Sequence, residues 1–110
     1  MTLDTRSKIL PISRAAEFAD AVFVAMHLDP LTTAHARRLA EIAAGGRRVV
    51  VLLSDPPAPL LPLAARAELA ASLASVSAVM VVDFVSELAA DLERRDALVH
   101  HVLGRHAAAG

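Results

Sequence analysis

At 110 residues, with more than half of them apolar and only 3% aromatic, the chain is expected to fold as one domain whose core is built from thin aliphatic side chains. A net charge of −1 without a basic block argues against nucleic acid as a partner, and the lack of cysteine excludes disulfides and thiolate metal sites. Every apolar run is broken by charge or proline within about 10 residues, short of the roughly 18–20 a membrane span needs, so no membrane role is expected.

Met1 to Ser7 reads as a mobile polar lead. Thr2 to Arg14 carries Asp4, Arg6, Lys8 and Arg14 and has no apolar core of a secretion signal, so a cytoplasmic location is expected. Ser13 can cap a short helix running to Ala19. Val22-Phe23-Val24-Ala25-Met26 is then a continuous apolar run, the pattern of a strand buried on both faces. Asp29-Pro30 ends it, because proline lacks an amide donor and biases its predecessor away from the helical region. Thr32 or Thr33 can cap a helix from Ala34 to Ala44, with Leu39, Ile42 and Ala43 inward and Arg37, Arg38 and Glu41 outward. Gly45-Gly46 stops that helix.

Val49-Val50-Val51-Leu52-Leu53 is a second buried strand, closed by the stiff loop Ser54-Asp55-Pro56-Pro57-Ala58-Pro59. Pro62 suits the first turn of a helix running to about Ser75, whose apolar side is Leu63, Ala67, Leu69 (or Ala70) and Leu73. Val76 to Phe84 is a third strand. Ser86 can cap a last helix, with Val85, Leu88, Leu92, Val99 and Val102 at helical spacing. Continuous apolar strands alternating with helices predict an α/β fold with a parallel sheet and right-handed crossovers. There is no internal repeat and no linker, so 1–110 is one domain.

The turn after the first strand carries the clearest chemistry. A buried parallel strand, a polar turn and a helix N-terminus together form an anion-binding geometry. The residues Asp29-Pro30-Leu31-Thr32-Thr33-Ala34-His35 resemble the signature Gly-x-Phe-Asp-x-(hydrophobic)-(His or Thr)-x-Gly-His of the HIGH-motif nucleotidyltransferases, a group that includes cytidylyltransferases and heptose-phosphate and phosphopantetheine adenylyltransferases. Leu28 takes the Phe place, Asp29 the Asp, Thr32 the His/Thr and His35 the final His. Met26 and Ala34 stand where the family has its two glycines. Leu53-Ser54-Asp55 resembles the end of the family's second strand. Ala65-Arg66-Ala67-Glu68-Leu69 resembles its arginine-bearing helix, and Val76-Ser77-Ala78-Val79 the start of its third strand.

The resemblance implies a Rossmann-like, three-stranded parallel sheet in the order 3-2-1 with helices on both faces, like the first half of a nucleotidyltransferase. It implies a nucleotide (ATP or CTP) or phosphate-bearing small molecule at the Leu28–His35 turn. His35 and Thr32 would be catalytic, and His27, Leu28, Asp29, Ala34, Ser54, Asp55 and Arg66 would bind the nucleotide. Mg²⁺ would be needed if the chain transfers a nucleotidyl group. The alternative is a non-catalytic module that keeps the fold for assembly or regulation. The family's second, Ser/Thr-rich signature is not found, nor is its lysine after the second strand; Lys8 is the sole lysine.

Each position also has a simpler reading. Thr32 is an equally good helix cap, and Asp29 can order the turn by accepting amides. His27 can be satisfied by backbone, and Arg66 can be an exposed helix arginine. Met26 and Ala34 would narrow a family pocket. His100 and His101, adjacent on the expected last helix, would point about 100° apart and so not share a metal ion easily; with His106 they read as surface residues. With no strand expected beyond the third, the first strand would be a bare apolar edge, which argues for a homodimer burying Ala21–Val24.

Overall fold

The computed structural model describes residues 5–82 and the backbone of 98–102. The chain forms an α/β fold built on β1 (Val22–Met26), β2 (Val49–Leu53), β3 (Ala78–Val81) and β4 (Leu98–Val102), with helices α1 (Thr33–Ala43) and α2 (Leu63–Ala71). All pairings are parallel, in the order β3-β2-β1-β4. Val22 stands beside Val49 on one side and Leu98 on the other, and Met26 beside Leu53 and Val102.

The period-two geometry of a strand divides β1 and β2 between two cores. Val22, Val24 and Met26 of β1 pack with Val49, Val51 and Leu53 of β2 against Leu39 of α1 and Ala67, Ala70 and Ala71 of α2. Phe23 and Ala25 pack with Val50, Leu52, Ala78 and Met80 against Phe18 on the opposite face. Both faces are covered, so every residue of β1 and β2 is buried. Each such Val or Leu contributes about 1.5–3 kcal/mol relative to an exposed position. The small alanines of α2 let that helix lie close to the sheet. The opposite face is covered by a 3-10 helix, Ile12–Phe18, where the sequence suggested a short helix from Ser13.

α1 ends as expected: the Gly45 and Gly46 amides bond to Ile42 and Ala43, and Gly46 sits at φ +92°, which a side chain would strain. In α2, Ala70 is the buried residue and Leu69 is 45% exposed, which decides between the two.

Four expectations are corrected. Thr5–Lys8 is a 3-10 helix rather than a mobile lead, held by Lys8 Nζ on the Leu73 carbonyl (3.1 Å), while residues 1–4 lie outside the described residues. Val99 and Val102 belong to strand β4, not to a last helix, because 98–102 pairs with β1 along its whole length. Val85, Leu88 and Leu92 lie outside the described residues. The edge of β1 is not bare, because β4 pairs with it along its whole length. Ala21 to Val24 are accordingly buried within the single chain, which removes the reason given for a homodimer there. Among the described residues no helix is long and apolar enough to cross a membrane.

Candidate functional site

β1 has β2 on one side and β4 on the other, so the chain order reverses beside β1. In open parallel sheets the crevice at the carboxyl end of such a switch point is where ligands bind. The segment leaving β1 there is His27-Leu28-Asp29-Pro30-Leu31-Thr32, and it leads directly into α1.

Leu28 is fully buried yet has φ +52°, a left-handed conformation that a leucine adopts only when its surroundings force it. The contacts on either side of it account for this. Before it, the His27 carbonyl accepts from Arg66 Nη1 at 2.7 Å. After it, the Asp29 carboxylate accepts from the Leu60 and Leu61 amides at 2.6 and 2.8 Å. Asp29 thus does accept amides, and those of Leu60 and Leu61 lie far along the chain, just after the proline loop.

Thr32 caps α1. Its hydroxyl accepts from the His35 amide (3.3 Å), and its own amide donates to His35 Nδ1 (3.0 Å). This is a capping box in which histidine replaces the usual Glu or Gln. The Thr32 hydroxyl also lies 3.0 Å from Nδ1. An amide can only donate, so Nδ1 carries a lone pair and the neutral ring holds its proton on Nε2. His35 is buried, and burial pushes its pKa below the ordinary histidine value. Nε2 makes no hydrogen bond among the described residues, and no buried side-chain nitrogen or oxygen is left without a partner there, so this N–H reaches the surface. The amides of Thr33 and Ala34 make no hydrogen bond among the described residues either, as expected in the first turn of a helix.

His27 has the opposite arrangement. Its Nδ1 lies 3.0 Å from the Ser54 carbonyl oxygen and 3.2 Å from Ser54 Oγ. A carbonyl only accepts, so Nδ1 bears the proton, and the backbone-satisfied reading of His27 holds for that nitrogen. Ser54 itself is buried, and its amide donates to the Met26 carbonyl.

Arg66 is completely buried, which corrects the exposed reading. Nε donates to the Leu61 carbonyl, Nη1 to the carbonyls of His27 and Ser54, and Nη2 to the Asp55 carboxylate. A buried guanidinium needs such a set of partners. The helical spacing missed this. A signal was available, since Arg66 shares its face of α2 with Ala67 and Ala70, where a long side chain has room to run up to the strand ends.

The two positions aligned with family glycines behave differently. Met26 is fully buried in the core under α1. Ala34 is exposed, so its methyl group narrows no enclosed space. His100 and His101 lie in β4, paired with Val24 and Ala25, rather than on a helix; His106 lies outside the described residues. No protein-family model matches the chain, and no curated protein matches it.

Proposed function

We propose that the chain is a nucleotidyltransferase-like domain that binds ATP, CTP or another phosphate-bearing small molecule at the Leu28–His35 turn. The observation that carries this reading is the coincidence at one place of the sheet's switch point, the N-terminus of α1 and the Nε2–H of buried His35, which is unspent among the described residues. A phosphate oxygen there would accept from His35 Nε2–H and from the Thr33 and Ala34 amides, aided by the helix dipole. Donors fixed in advance by the capping box need no reorganisation on binding.

Transfer chemistry has less support. The nearby acidic side chains do not fit a Mg²⁺ site: Asp29 is spent on two amides and Asp55 on Arg66. Arg66, a cation that would otherwise draw in a triphosphate, is bonded to protein oxygens. The buried Met26 and the committed Arg66 favour a non-catalytic module in which ligand binding serves regulation or assembly.

A ligand that binds only the folded state raises the melting temperature by mass action, about 2.7 kcal/mol of stabilisation at a hundredfold excess over Kd. ATP, CTP and inorganic phosphate are compared by thermal melting of the wild type and of His35→Ala. The expected result is a shift that His35→Ala largely removes; an equal shift in both proteins would overturn the site.

A further inference from the structure

The geometry points to Arg66 as a positioning residue for His27: by gripping the His27 and Ser54 carbonyls together, it holds His27 in the Nδ1–H tautomer and so presents Nε2 as an acceptor. The inference concerns the site proposed above, but the tautomer exists with or without a ligand.

The Ser54 carbonyl is the key atom. It receives two donors, Arg66 Nη1 at 3.1 Å and His27 Nδ1 at 3.0 Å. The same Nη1 reaches the His27 carbonyl at 2.7 Å, so one nitrogen ties the chain leaving β1 to the chain leaving β2. The planar guanidinium is fixed in turn by Leu61 and Asp55, which leaves Nη1 no freedom to release either carbonyl. With the Ser54 oxygen held beside the ring, the proton belongs on Nδ1. His27 is partly exposed, and its Nε2 makes no hydrogen bond among the described residues.

The two histidines bounding the turn therefore offer opposite atoms, His35 an N–H and neutral His27 a lone pair. With its proton on Nδ1 and given to the Ser54 carbonyl, the neutral His27 ring has no N–H left for a fully ionised phosphate. It takes a hydroxyl or a protonated phosphate oxygen instead, which makes it a selector for a ligand that brings its own donor.

The test is the pair of ¹⁵N ring shifts of His27 at a pH where the ring is neutral, in the wild type and in Arg66→Lys. Lysine keeps the buried charge near Asp55 but has no rigid fork with which to hold two carbonyls. The wild type is expected to show the Nδ1–H pattern, and a folded Arg66→Lys to show a mixture of tautomers. An Nε2–H pattern in the wild type, or identical His27 shifts in both proteins, would overturn the assignment. Should Arg66→Lys fail to fold, the wild-type guanidinium decides: resolved, slowly exchanging Nη protons are expected, and one averaged signal would overturn it. Failure of inorganic phosphate to perturb the Thr33–His35 amides would count against the proposed function and leave the tautomer assignment standing.

Discussion

His35 is held in the Nε2–H form because Nδ1 accepts from the Thr32 amide before any ligand arrives. Protonating Nδ1 would break the bond from the Thr32 amide and open the capping box, and burial disfavours the cation as well. The folded pKa is thus below the unfolded one, so near and below the ordinary value of 6.5 the unfolded chain takes up more protons. Stability is complete above that value and falls as pH drops through the window below it. Melting temperature measured from pH 7.5 down to 5 is expected to fall. His35→Gln, which keeps a capping acceptor without titrating, is expected to flatten this part of the curve. Leu28 poses a second question at the same scale. Its side chain is fully buried but its backbone is left-handed. Truncation to Ala costs about 2–5 kcal/mol in lost packing. Glycine loses the same packing but escapes a left-handed penalty of roughly 1–2 kcal/mol. In urea unfolding Leu28→Gly is therefore expected to be more stable than Leu28→Ala, the reverse of the usual order in helices and strands.

The strands and helices are legible in the sequence because each is set by its own residues. Continuous apolar runs, Val-Phe-Val-Ala-Met and Val-Val-Val-Leu-Leu, mark β1 and β2, and Gly45-Gly46 and Pro62 mark helix ends. The contacts that build the site join residues far apart in sequence, and no local pattern encodes them. Asp29 could be seen as an amide acceptor beside a proline. That its amides come from Leu60 and Leu61, across the proline loop, depends on how α2 settles on the sheet. Arg66 is the same case: its spacing says helix, while its burial follows from the alanines around it. β4 is not legible in the sequence because Val99 and Val102 stand three apart, a helical spacing, and only pairing with β1 makes 98–102 a strand. The Asp29 clamp is testable as a link between elements. Hydrogen bonds to a charged acceptor contribute about 1.5–3 kcal/mol. Asp29→Ala is expected to lower stability by about that amount and, in hydrogen exchange, to deprotect the Leu60 and Leu61 amides more than those of β2. Equal deprotection of both would mean the clamp has no local effect.

For the whole molecule, the consequence of β4 is that β1 is an inner strand. Its apolar residues are shared between two cores and two neighbours, and its carboxyl end opens at the point where chain order reverses. The outer edge of β3 has protection of its own, since Ile9 bridges to Val79 and the Leu10 amide donates to the Val79 carbonyl at 2.9 Å. The sheet therefore places the two wholly apolar strands β1 and β2 inside, away from its edges, the arrangement that resists edge-to-edge association. The net charge of −1 supplies almost no long-range repulsion, so strand coverage rather than charge protects β1 from association. Removing residues 98–110 tests this. The shortened chain keeps β1, β2, β3, α1 and α2 but leaves one side of β1 with unpaired amides and carbonyls over an apolar surface. Sedimentation equilibrium at micromolar concentrations is expected to show the shortened chain associating while the full chain stays monomeric. A shortened chain that is folded by circular dichroism and sediments as a monomer would show that β4 is not what protects β1.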